Sequence, residues 1–105
     1  MKSSAGRRLA GSRARTALYP NGPNPAGAST LIRFDLPAES AVKLELFDLL
    51  GRRVATLADR TIPAGTHAVE WDLRDLNGAQ MRPGVYVYRL TAGAFRAKGK
   101  MSVVP

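Results

Sequence analysis

From Thr30 the chain alternates apolar and polar residues with the two-residue period of a strand. Ile32, Phe34 and Leu36 fall on one side, Arg33 and Asp35 on the other, and Pro37 ends the run. Ala41 to Phe47 repeats the pattern, with Val42, Leu44 and Leu46 assigned inward and Lys43 and Glu45 outward. Asp48 to Gly51 supplies a turn in which glycine accepts a left-handed backbone, and Arg53 to Ala58 returns, so the two segments form a hairpin. After a break at Pro63 to Gly65, Thr66 to Asp72 places His67, Val69 and Trp71 on one face.

The second half is more sharply specified. Met81-Arg82-Pro83-Gly84 opens an aromatic-rich strand, Val85 to Thr91, in which Tyr86, Tyr88 and Leu90 share a face. Proline fixes its own φ, and aromatic and β-branched side chains suit the pleated surface that follows. Ala92-Gly93-Ala94 reverses the chain. In the final strand Phe95, Ala97, Gly99, Met101 and Val103 alternate with Arg96, Lys98, Lys100 and Ser102, which predicts a basic outer row. The connection Leu73 to Pro83 is rich in turn formers, among them Asp75, Asn77 and Gly78. Tyr19 to Ala28, with three prolines and two asparagines, reads as an extended lead-in along one edge. No helical period appears anywhere. The pattern predicts an all-β, antiparallel two-sheet sandwich of six or seven short strands.

A chain of 105 residues is one domain, and its first eighteen differ from the rest, so the expected folding unit is residues 19–105. That length supports a single compact core without staples. The absence of cysteine excludes both a disulfide framework and a thiolate metal site. The formal net charge of +8 raises a polyanionic partner, but Lys2, Arg7, Arg8, Arg13 and Arg15 lie in the first eighteen positions with no acid among them. Residues 19–105 keep eleven basic residues against eight acids, a balance of +3. The excess is therefore mostly a tail. Residues 1–18 read as a basic disordered tail or linker, or as the truncated start of a longer parent. They do not read as an export signal, because Arg13 and Arg15 interrupt Leu9-Ala10-Gly11-Ser12 before an apolar core can form. Without aromatic interleaving or amphipathic order the tail does not suggest a nucleic-acid or membrane arm, and no run approaches the ~20 apolar residues of a membrane span.

Candidate chemistry is sparse. The single histidine, His67, has no cysteine or second histidine to work with and reads as a structural strand residue rather than a catalytic base or zinc ligand. Asp72, Asp75 and Asn77 lack the spacing of a helix-loop-helix calcium site and are better explained as turn formers. Phe34, Trp71, Tyr86 and Tyr88 suit a sugar-stacking platform in principle, but their alternation with aliphatic neighbours points to core. A carboxylate pair for glycoside hydrolysis has little room for a cleft. Arg96, Lys98 and Lys100 are either a solvated strand face or a surface for partner recognition. An enzyme is the least expected class, and no cofactor or metal is implied.

Tyr19-Pro20-Asn21-Gly22-Pro23-Asn24-Pro25, Thr30 to Phe34, Val42 to Val54, Ala64-Gly65, Trp71-Asp72 and Gly84 to Leu90 follow one another in an order that resembles the type A C-terminal sorting domains of the type IX secretion system. The same series is similar to the Ig-like domain of the flagellar hook-capping protein. This likeness covers Tyr19 to the end of the chain and implies an Ig-like sandwich. It further implies a non-catalytic address label on a protein that has crossed the periplasm and becomes secreted or surface-bound. The implied partners are the outer-membrane type IX translocon, a sorting peptidase and an upstream cargo domain. The implied recognition face joins Pro83, Gly84 and Tyr86 to Lys98, Lys100 and Met101, which match the family's Gly-x-Tyr and late-lysine elements. No nucleic-acid partner is implied, and a monomer is expected. The sandwich lying at the C-terminus favours sorting over the alternatives, an Ig-like scaffold module as in the hook cap or an accessory domain of a secreted hydrolase.

Overall fold

The computed structural model describes residues 15–104. Within them lie seven strands and no helix: β1 Ala17–Leu18, β2 Thr30–Leu36, β3 Ser40–Phe47, β4 Arg53–Ile62, β5 Gly65–Trp71, β6 Gly84–Ala92 and β7 Phe95–Val103. They form a three-stranded sheet in the order β1-β2-β5 and a four-stranded sheet in the order β4-β3-β6-β7, antiparallel throughout. The Ig-like antiparallel sandwich expected from the alternation is thus the fold observed. The proposed tail falls outside the described residues up to position 14. Ala17 and Leu18, which composition placed in that tail, instead pair with Asp35 and Phe34. Half-buried Leu18 packs on the core there, which ties the two residues to the sheet.

Both inner faces meet in one apolar core. Ile32, Phe34 and Leu36 from β2 and Leu44 and Leu46 from β3 are fully buried, as is Leu90 from β6. Each side chain of this kind contributes about 1.5–3 kcal/mol by leaving water. Trp71, Tyr86 and Tyr88 join this core and are not a surface platform. Two of these aromatics satisfy their polar atoms on nearby backbone: Trp71 Nε1 donates to the Arg74 carbonyl at 3.0 Å and the Tyr86 hydroxyl to the Arg82 carbonyl at 2.7 Å.

Strand β4 runs four residues beyond the expected end at Ala58, because its alternation is broken rather than finished. In register with β3, Ala58 opposes Leu44 and Thr56 opposes Glu45, then Ala55 opposes Leu46 and Arg53 opposes Phe47. Leu57 and Val54 are therefore extra residues, each a bulge that lets a second apolar side chain turn toward the core. The loop after β5 docks on this irregular stretch through a Leu76 N–H bond to the Val54 carbonyl at 2.9 Å.

Glu45 also departs from the simple alternation. It does leave the sheet on the outer face, yet it is only 5% exposed. Arg89 of β6 reaches one carboxylate oxygen at 3.1 Å and Arg53 of β4 the other at 3.4 Å, so two guanidinium groups close over it.

The lead-in is a seam between the sheets. Gly22 exchanges two backbone hydrogen bonds with Leu31 of the smaller sheet, while Ala26 bonds to Ser102 and Val104 beside the larger one. Between them the buried Asn21 donates through Nδ2 to the Pro23 carbonyl and to the Thr30 hydroxyl. The Tyr88 hydroxyl completes the joint, donating to the Tyr19 carbonyl and accepting from Asn21 N–H, both at 3.2 Å. Tyr88 reaches this position by lying across Gly99, its cross-strand partner, where any side chain would collide with the ring.

Candidate docking surface

The β6–β7 hairpin carries all the residues singled out for recognition, and their alternation divides them. Tyr86 and Met101 are directly opposed in register and both turn inward, 8% and 1% exposed. They hold the hairpin on the core and offer little to a partner. Gly84, with φ +155°, opposes Val103 where β6 begins, and Pro83 precedes it in the exposed turn. Lys98 and Lys100 project from the outer face together with Arg96. The structure therefore brings together the basic row and separates it, by the thickness of the sheet, from the aromatic-methionine pair.

Around that row the outer face is both basic and apolar. Arg89, opposite Lys98, lies over the Phe47 ring with its guanidinium carbon 4.7 Å from the ring centre while holding Glu45. Such stacking on a partly exposed ring contributes about 0.5–1 kcal/mol. A shallow depression of about 280 Å³ is lined by Arg89, Arg96, Ala97 and Lys98. It adjoins a hollow of about 300 Å³ reaching Phe47, Val87 and Leu49. Leu49 and Leu50, at the tip of the β3–β4 turn, are 67% and 78% exposed. Asp48 holds that tip: one carboxylate oxygen accepts the N–H groups of Leu50 and Arg52, the other the Arg52 side chain at 2.8 Å. These bonds, the Arg52 amide foremost, draw the Asp48 carboxyl below its ordinary value.

Strand β7 is also an edge. It pairs with β6 along its whole length, whereas on its other side hydrogen bonding from the lead-in is confined to its end, through Ala26 and the Asn24 side chain on Ser102 N–H, and Tyr19 and Asn21 approach Gly99 only through the Tyr88 hydroxyl. From Phe95 to Met101 it is paired on one side only among the described residues.

Other candidate chemistry resolves into structure. His67 stacks on Phe34, ring centres 5.5 Å apart, and its Nε2 lies 2.7 Å from the Pro63 carbonyl. A carbonyl can only accept, so Nε2 carries the proton. Asp75 Oδ1 accepts from Asn77 and Ala79 N–H, and Asp72 Oδ1 from Arg74 N–H, which makes both carboxylates turn formers. They border an open groove of about 510 Å³ next to Trp71, lined also by Thr56, Leu57 and Glu70. Among the described residues no group of three or more His, Cys, Asp or Glu side chains is placed to hold a metal ion.

Sequence reasoning missed Asn21, Thr30 and Gly99 as the seam around Tyr88. The available signal was Gly99 itself, an isolated glycine inside an otherwise regular strand, which marks a close approach by another group.

Dimeric latent PorU from Porphyromonas gingivalis is similar over 85% of this chain and 9% of its own, at 25% identity and a TM-score of 0.70. PorZ from the same organism, described as an essential bacterial surface component of the type-IX secretion system, matches over 84% of this chain and 11% of its own, at 20% identity and a TM-score of 0.59. FLGD from P. aeruginosa matches over 84% and 70% of the two chains, at 19% identity and a TM-score of 0.56. The chain thus spans about a tenth of the length of the two Porphyromonas proteins. No curated protein matches it. The family model of the FlgD Ig-like domain matches residues 22–94, from the seam to the β6–β7 turn, and this chain belongs to the FlgD Ig-like domain family.

Proposed function

We propose that this protein is a non-catalytic docking module, a sorting domain of the type IX secretion system that carries an attached cargo from the periplasm across the outer membrane. Its partners in that reading are the outer-membrane translocon and the sorting peptidase, and its destination is the medium or the cell surface. The observation that carries the proposal is strand β7: a rigidly backed edge strand that presents Arg96, Lys98 and Lys100 outward and is paired on one side from Phe95 to Met101. A receptor can grip such a strand through its backbone or its charges without regard to the cargo. The ordered motif series shared with sorting domains, and the same fold in a protein described as a type-IX secretion component, support the assignment.

The second reading is an Ig-like scaffold module, favoured by the family match and by a likeness that spans 70% of the P. aeruginosa FLGD chain. One experiment separates them. The full chain is fused behind a fluorescent reporter bearing a signal peptide, in a host with a type IX translocon and in an isogenic strain lacking it. Reporter in the medium or on the surface of the first strain only is the expected result. Folded reporter held in the periplasm of both strains overturns sorting in favour of the scaffold.

A further inference from the structure

We propose that the open edge of β7 takes up an extended, acidic segment of a partner polypeptide, with carboxylates at alternate positions. This occupant presupposes β7 as the docking strand but not the export role.

The first part of the case is charge that the fold leaves unanswered. Arg96, Lys98 and Lys100 stand opposite Thr91, Arg89 and Val87 on β6, so the neighbouring strand supplies no acid. Glu45, the one buried carboxylate on that face, is already shared between Arg89 and Arg53. None of the three row residues has an ion-pair partner among the described residues. Asp48, which lines the same hollow as Lys98, is held by Arg52, so a partner's carboxylates have the other side to approach from, where the backbone is also open.

The second part is spacing. Residues two apart in a strand are about 6.6–6.8 Å apart, and an added strand repeats that interval. Carboxylates on every second residue of the incoming segment meet Arg96, Lys98 and Lys100 in register, at cross-strand separations that favour opposite charges. The intervening side chains of the added strand point to the sandwich seam, beside the half-buried Phe95 and Ala97. They are therefore apolar. The lead-in occupies the edge at Ser102 and Val104 and stops the added strand there, leaving Phe95 to Met101 as its length.

Charge also dismisses two other occupants. A second copy pairing β7 with β7 would set one basic row against another, an arrangement that discourages edge-to-edge association. The chain's own residues 1–14 contain Lys2, Arg7, Arg8 and Arg13 and no acid.

The test is calorimetric titration of the full chain with the heptapeptide Val-Glu-Val-Glu-Val-Glu-Val, blocked at both ends. Two comparison peptides accompany it: one with the same composition but the three glutamates contiguous, and one N-methylated at the amides that pair with the edge. The alternating peptide should bind at least about tenfold tighter than either. Lys98→Glu with Lys100→Glu should weaken it by about tenfold or more with the urea midpoint unchanged, and Lys98→Gln alone by a smaller factor. Amide shifts in an NMR titration should centre on residues 95–101. Equal affinity for the alternating and contiguous peptides, indifference to N-methylation, or no saturable binding up to about 1 mM peptide overturns the proposal. Peptide binding without reporter export would sink the sorting role alone, and export without peptide binding would sink the acidic-strand occupant alone.

Discussion

Gly99 is the position where one added carbon tests the seam of the sandwich. A Cβ there would stand 2.4 Å from both Cζ and Oη of Tyr88 and 2.9 Å from Cε2, far inside van der Waals contact. The ring has little freedom to retreat, being 2% exposed, with its hydroxyl bonded to the Tyr19 carbonyl and to Asn21 N–H. Forcing extra volume into a packed site costs about 1–3 kcal/mol. Turning the phenol away also strips the buried Asn21 N–H of its acceptor, a further cost of about 1–3 kcal/mol. Gly99→Ala is therefore expected to destabilise by about 2–6 kcal/mol, a large share of the ~5–15 kcal/mol that holds a typical domain folded. Without the collision the sign would be opposite, because replacing glycine by alanine on unstrained backbone stabilises by about 0.4–1 kcal/mol. Equilibrium urea unfolding reads the difference: with a slope of about 2 kcal/mol/M the midpoint falls by about 2 M. In a Tyr88→Leu background the collision is gone, and the same substitution should cost less than about 1 kcal/mol. A neutral or stabilising Gly99→Ala, or an equal loss in both backgrounds, would refute the reasoning.

Burial raises the Tyr88 phenol above its ordinary value near 10. The folded state thus disfavours the phenolate, so the contribution is intact below about pH 10 and is lost as pH rises toward the folded value; Tyr88→Phe should flatten this alkaline limb of stability measured by urea unfolding. Glu45→Ala leaves Arg89, half-covered and stacked on Phe47, without its carboxylate, and should cost about 2 kcal/mol in the same assay, discounted from a fully buried pair because both arginines reach water. Asp48 is depressed, so its share of turn stability is present above its unfolded value and disappears as pH falls through the lower folded one. An NMR titration should find its midpoint below 3.8, moving upward in Arg52→Ala.

The strands that sequence made legible are those with unbroken alternation. β2, β3 and β7 have their inward residues where period-two counting puts them, because a one-residue slip would turn a whole apolar row to water. β4 resisted that counting for a physical reason: Val54 and Leu57 are extra residues opposite β3, and a bulge erases periodicity while keeping the strand. The burial of Glu45 was likewise hidden, since it depends on arginines from two other strands converging on it. The seam was illegible because proline- and asparagine-rich segments have no period, and its bonds join Asn21 to Thr30 and Tyr88 across large sequence separations. For the docking surface, the alternation that placed Tyr86 and Tyr88 inward already separated Tyr86 and Met101 from the lysines. The motif likeness grouped the six residues, and the pleat divides them.

Reversal of the basic row within the full-length fusion tests the central claim, that β7 is the element a partner grips. Lys98→Glu with Lys100→Glu touches only exposed side chains, so the melting temperature should stay at the unsubstituted value, within the half kilocalorie or so usual for surface changes. If β7 is the docking strand, the translocon-dependent fraction of reporter outside the cell falls by about tenfold with the domain still folded. Undiminished export from a variant with an unchanged melting temperature would contradict that claim.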